Sequence, residues 1–179
     1  AIDAAAIAAN AIGASELAAD AVAEIADGIW DEARSGHTTT GTYGAIIGVE
    51  QLLKTITYSD GVGTGQVGNV VIATISGRVE IVRIIPRCTT DLVGAATITL
   101  GCVDDTDQFL GATTATTIDA NKYWLGITDV TDDLAIPAAL KEVVIDSNIV
   151  NEIAAATITA GVIVYDIIWR PVSSGATLV

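Results

Sequence analysis

The side chains able to carry chemistry in this sequence are few and scattered. The sharpest pattern is Gly63-Thr64-Gly65-Gln66-Val67-Gly68, which has the glycine spacing of a dinucleotide-binding turn. Such a turn works because its glycines lead from a strand into a helix whose N-terminus holds the pyrophosphate. Here the next residues, NVVIATIS, read as a strand, so the glycines are expected in a hairpin or loop.

Two acidic runs come next, Asp104 to Asp107 after Val103, and Asp129 to Asp133 within TDVTDD. Loops of carboxylates offer oxygen ligands to a hard cation such as calcium. Neither run has the Asp-x-Asp-x-Asp-Gly pattern with a closing Glu, so both are read as solvated acidic loops and no metal site is assigned. His37 is the only histidine and lies in SGHTTTGTYG without an obvious partner. Nucleophilic catalysis needs a base within hydrogen-bond reach of a Ser or Cys, and with one His and no GxSxG elbow the chain is read as a non-enzyme without cofactors.

Cys88 and Cys102 form neither a disulfide framework nor a zinc set, and Cys102 falls on the apolar side of its segment. If 78–87 and 96–103 pair as a hairpin turning near Leu92, the two thiols lie too far apart to bridge. Trp30, Trp124 with Tyr123, and Trp169 are the large aromatics; exposed, they would suit a sugar, but core or interface packing is the expected role.

The elements that must position these residues follow from composition. Of 179 residues 51% are hydrophobic, which excludes a disordered chain, and no apolar run approaches the roughly 20 residues of a membrane span. A formal charge of −14, with Arg78, Arg83 and Arg87 scattered, argues against nucleic acid. The chain begins at Ala1 with acidic residues where a signal peptide would be basic, and is read as a fragment, a processed form or a Met-trimmed product.

The grammar changes near residue 57. Before it, Ala with Glu, Leu and Ile predicts helix, including a short second helix over 42–56 with Ile46, Val49 and Leu53 on one side. Ile2, Ile7, Ile12, Leu17 and Val22 recur every five residues, about 140° beyond a full helical turn, which spreads large side chains around the rod. Val22, Ile25, Ile29 and Ala33 share one face. A slim rod with large apolar residues on several sides needs neighbours. After residue 57, Thr, Val and Ile alternate with polar residues, and strands are expected over 67–76, 78–87, 96–103, 122–127, 142–149 and 157–170. The last is apolar on both faces: Ile163, Tyr165, Ile167 and Trp169 oppose Val162, Val164 and Ile168, so a core covers one face and a second subunit is expected on the other.

The stretch Ile7-Ala-Ala-Asn-Ala-Ile12-Gly-Ala-Ser-Glu-Leu17-Ala resembles shaft segments of phage fibres and tail appendages. Trp30-Asp-Glu-Ala-Arg34-Ser-Gly-His37-Thr resembles an adaptor segment of such proteins. Cys88-Thr-Thr-Asp-Leu92 and Ile136-Pro-Ala-Ala-Leu140 are similar to C-terminal domains of phage structural proteins. The chain thus resembles tailed-bacteriophage virion structural proteins of the head-decoration, head-fibre or tail-fibre type. The resemblance implies symmetric, usually threefold, assembly and no catalytic residues.

The expectation is an α+β chain: a helical oligomerisation and anchoring segment over 1–57, then an antiparallel, jelly-roll-like β-sandwich over 58–179, carrying formal charges of −6 and −8. Its expected oligomer interface is Ile2, Ile7, Ile12, Leu17, Val22, Ile25, Ile29, Trp30, Tyr165 and Trp169. The expected function is a virion component assembled in the host cytoplasm, a homo-oligomer, with a trimer favoured, that meets capsid or tail proteins. A tail-fibre or baseplate piece and a carbohydrate-binding module for host attachment are the alternatives.

Overall fold

The computed structural model describes residues 48–60, 64–126, 130–131 and 135–179, with the backbone alone described at 130 and 131. All fall within a compact unit, Thr38–Val179. The described residues form twelve strands: β1 (Glu50–Ser59), β2 (Gly68–Ala73), β3 (Ile75–Ser76), β4 (Val79–Val93), β5 (Thr97–Cys102), β6 (Asp105–Thr114), β7 (Tyr123–Trp124), β8 (Val130–Thr131), β9 (Lys141–Ile145), β10 (Ile149–Ala154), β11 (Ala160–Pro171) and β12 (Thr177–Leu178). The strands pair antiparallel: a six-stranded sheet in the order β1-β11-β4-β7-β8 with β9 also on β4, a four-stranded sheet β2-β10-β5-β6, and the small pair β12-β3.

This corrects the expected fold class. Helical structure among the described residues is confined to two 3-10 turns, Ala115–Thr117 and Ala138–Leu140. The helix expected over 42–56 is replaced, from Glu50 on, by β1, which runs through residue 57 and pairs with β11 along its whole length, from Glu50↔Trp169 to Ser59↔Ala160. The Leu53 spacing that suggested a helix face was misleading. Local preference yields to pairing with a strand more than a hundred residues away, and Ile56 and Tyr58 are turned inward by the two-residue alternation. The remainder of the expected helical segment, residues 1–47, lies outside the described residues.

The two large sheets share one hydrophobic core, an arrangement compatible with a β-sandwich. Along β11, Ile163, Tyr165, Ile167 and Trp169 point inward; along β5, Ile98, Leu100 and Cys102 do the same. The sheets are also bolted by side-chain hydrogen bonds. Tyr58 Oη and Tyr165 Oη each donate to Asn151 Oδ1 at 2.6 Å across the gap, and Asn151 Nδ2 donates to the Thr99 carbonyl at 2.7 Å. Trp124 Nε1 on β7 donates to Thr113 Oγ1 on β6 at 3.0 Å.

Strand β4 contains Pro86, which cannot donate to a ladder. It sits where β4 changes its outer neighbour: β9 pairs with Val79 to Arg83, and β7 pairs at Arg87. The missing N–H therefore falls at a junction between partners. The expected hairpin of 78–87 with 96–103 does not form, because β4 and β5 belong to different sheets and the chain crosses the core between them. Cys88 and Cys102 are both buried and free.

Candidate functional site

The glycine motif gives no phosphate cradle. Gly65 is small because the chain passes too close: a Cβ there would collide with the carbonyls of Ser59 and Ile158, and the Ile158 N–H donates to the Gly65 carbonyl at 2.7 Å. Gly68 opens strand β2, not a helix. Among the described residues, no group of three or more His, Cys, Asp or Glu is placed to hold a metal. The run 104–107 forms the tip of the β5–β6 hairpin, with Asp105 already in β6. Asp129, Asp132 and Asp133 lie outside the described residues, as does His37.

The buried titratable groups are structural. Burial pushes the phenols of Tyr58 and Tyr165 well above their ordinary range, and both are engaged with Asn151. Burial likewise pushes the Cys88 thiol up to about 11; its S–H faces the carbonyls of Thr90 at 3.0 Å and Ile118 at 3.4 Å. A thiol held protonated is a poor nucleophile.

The expected interface residues divide. Ile2, Ile7, Ile12, Leu17, Val22, Ile25, Ile29 and Trp30 lie outside the described residues. Tyr165 and Trp169 are 0% and 4% exposed inside this chain, because the alternation of β11 turns them into the core. They have no surface left for a neighbour. What β11 leaves outward is Val162, Val164, Asp166 and Ile168, each half-buried. Of the rings weighed for sugar binding, Trp30 lies outside the described residues, Trp124 and Trp169 are buried, and among the described ones only Tyr123 reaches the surface.

The outward face of the six-stranded sheet is where polar and apolar groups converge. Cross-strand register builds it in rows. Gln51, Ile168, Arg83 and Lys141 form one row; Leu53, Asp166 and Ile85 the next; Thr55, Val164, Arg87 and Tyr123 the third. Between the rows lies an open depression of about 450 Å³ lined by Leu53, Arg83, Ile85, Arg87, Thr89, Tyr123, Val164 and Asp166. Ile85, on the face away from the core, is nevertheless only 7% exposed, sheltered by these neighbours.

The charges on this face are loosely engaged. Asp166 accepts from Gln51 Nε2 at 2.6 Å and pairs with Arg83 Nη2 at 3.7 Å. Arg83 Nε has no acceptor. The Arg87 guanidinium lies 6.0 Å from the Tyr123 ring centre, and no carboxylate among the described residues pairs with it. By contrast Arg170 is neutralised by Glu80, donating from Nε to Oε2 at 2.7 Å, which raises its already high pKa. The sheet face is thus an apolar floor under cations with donor capacity to spare, suited to binding an acidic, partly apolar surface.

Sequence reasoning passed over Leu53, Arg83, Ile85, Arg87 and Asp166 as a group. The signal was the alternation Arg83-x-Ile85-x-Arg87, which places all three on one strand face. Asn151 was also missed, being a polar residue inside the apolar run IVNEIA.

Comparison of the chain with protein-family models, with curated proteins and with solved structures finds no match.

Proposed function

We propose that this chain is a non-enzymatic structural component of a tailed-phage virion, a symmetric, threefold homo-oligomer decorating the head or forming a head fibre. The observation that carries the reading is the strand order. With the two-residue strands β3, β7, β8 and β12 set aside, the eight longer strands number in chain order first, eighth, third and sixth in one sheet, and second, seventh, fourth and fifth in the other. That interleaving is the order of a jelly roll, an architecture used by capsid and lectin domains. Fold alone does not fix function, so the reading also leans on the outward face of β11 and on the sequence resemblance.

An apolar strip running from exposed Leu53 through half-buried Val164 and Ile168 over buried Ile85, on an otherwise acidic protein, is what a subunit contact would use. A self-sufficient core beneath it leaves this face to neighbours rather than to folding. The carbohydrate-binding alternative is weakened by the burial of Trp124 and Trp169, which removes the flat rings a sugar stacks on. Counting copies by quantitative mass spectrometry on particles purified from a producing culture tests the function. Copies in ratio to the capsid lattice are expected. A few copies per particle would move the protein to the tail or baseplate, and absence from particles would overturn the reading.

A further inference from the structure

The strands of the four-stranded sheet contain no Lys or Arg; they carry Asp105, Asp107 and Glu152. The β5–β6 hairpin of that sheet ends in Val103-Asp104-Asp105-Thr106-Asp107. Val103 is 48% exposed, a large apolar side chain standing at the tip of an acidic hairpin. The tip is held in place: the Val103 N–H donates to the Asn148 carbonyl at 3.0 Å, and Thr106 Oγ1 donates to Glu152 Oε2 at 2.7 Å. Asp107 is crowded by Asp105, whose hydrogen bond and charge raise its pKa, and Glu152 adds to the repulsion. The strands of this sheet supply no cation to offset these carboxylates.

The strands of the other sheet carry Lys or Arg and Asp or Glu in equal number, but around its depression the cations gather. Arg83, Arg87 and Lys141 surround the depression, with Asp166 the single carboxylate among its lining residues, and the floor between them is Leu53, Ile85 and Val164. Two surfaces of one chain are therefore complementary in both charge and polarity: an acidic tip bearing one exposed apolar side chain, and a cationic rim around an apolar floor. The match joins two different patches, so copies can meet head to tail, and such contacts close into rings when the rotation allows.

We infer that the β5–β6 hairpin tip of one copy docks on the outward face of the six-stranded sheet of the next, with Val103 over Ile85 and Val164, and Asp104 and Asp105 facing Arg83 and Arg87. This rests on the assembly reading above and gives it a contact. Burial of Val103 and Leu53 supplies the apolar part, while the charges set register and exclude other orientations. The preformed tip lowers the ordering cost of docking.

The test is sedimentation velocity of the full chain, with circular dichroism to show that each variant folds. The wild type is expected to assemble. Arg83→Glu with Arg87→Glu, and separately Asp104→Lys with Asp105→Lys, are each expected to weaken assembly at least tenfold. The quadruple variant, with charges exchanged across the contact, is expected to regain it. If either reversed pair unfolds, Arg83→Gln with Arg87→Gln and Asp104→Asn with Asp105→Asn replace them, each expected to weaken assembly and to reduce its sensitivity to salt. Assembly of the reversed or neutralised variants at wild-type strength would overturn this contact while leaving an oligomer. Failure of the quadruple variant to recover, with both pairs folded, would also overturn it. A wild type that stays single at high protein concentration would instead overturn the assembly reading itself.

Discussion

Two polar groupings lie back to back on β11, one residue apart in sequence. On the inner side Tyr165 joins Tyr58 and Asn151 in a closed set, with both phenols donating to one amide oxygen and the amide nitrogen donating to Thr99. On the outer side Asp166 joins Gln51 and Arg83 in an open set, with one short bond, one ion pair of 3.7 Å and an Arg83 Nε that lacks an acceptor. The inner set is completed within the chain and ties the two sheets together. The outer set is incomplete by itself. Burial makes the difference: an unmatched group in the inner set would cost its full desolvation, whereas in the outer set only Arg83 Nε is shielded, and the partly exposed Asp166 carboxylate and the rest of the guanidinium have water to fall back on and stay available to a partner.

The largest break in this contrast should come from Tyr165→Ala, which empties an aromatic site at the centre of the core. It is expected to cost about 3–5 kcal/mol in chemical denaturation, against about 1 kcal/mol or less for Val164→Ala on the other face. Asn151→Ala follows. It strips both phenols of their acceptor and is expected to cost roughly 1–3 kcal/mol, measured the same way. A destabilisation no larger than that of Val164→Ala would show that the closed set does not tie the sheets.

Alkaline pH sharpens the contrast without mutation. Tyr58 and Tyr165 are held neutral by burial, so their pKa values in the folded chain lie above the unfolded value near 10. Between the two values the unfolded chain binds fewer protons than the folded one, so the phenols' contribution is full below about pH 10 and falls as pH rises, and the raised Cys88 thiol adds a fall of the same sign that begins near pH 9. The expected slope is about 1.4 kcal/mol per pH unit for each phenol. Denaturation midpoints from pH 8 to 11 check this, and a flat profile above pH 10 would place the phenols in contact with water. The smallest effect is expected from Asp166→Asn, under about 1 kcal/mol, because its ion pair is long and partly exposed.

The sequence made the alternation of 97–102 and the two apolar faces of 160–171 legible, since a period of two shows in side chains alone. Which apolar face of β11 would be inside was not legible, because Val162, Val164 and Ile168 are as apolar as their inward neighbours. Strand β1 was hidden because EQLLKTITYS holds two adjacent leucines and helix-forming charges, and only pairing with β11 makes it a strand. Strand β6 was hidden by Asp105 and Asp107, which depress strand preference yet are tolerated at a sheet edge. The outward face escaped notice because its rows join β1, β4, β7 and β11, and their order in a sheet is a long-range property. Arg83, Ile85 and Arg87 were near in sequence, but Leu53 and Asp166 were not.

The strands of the four-stranded sheet carry carboxylates and no Lys or Arg, whereas those of the six-stranded sheet carry both signs in equal number, so charge is divided unevenly between the two described layers. On an anion-exchange bead or a cationic film the unit should land with its hairpin layer down. A carpet of such molecules would then offer one common facet to the liquid, a uniform orientation set by the surface and not by any tether.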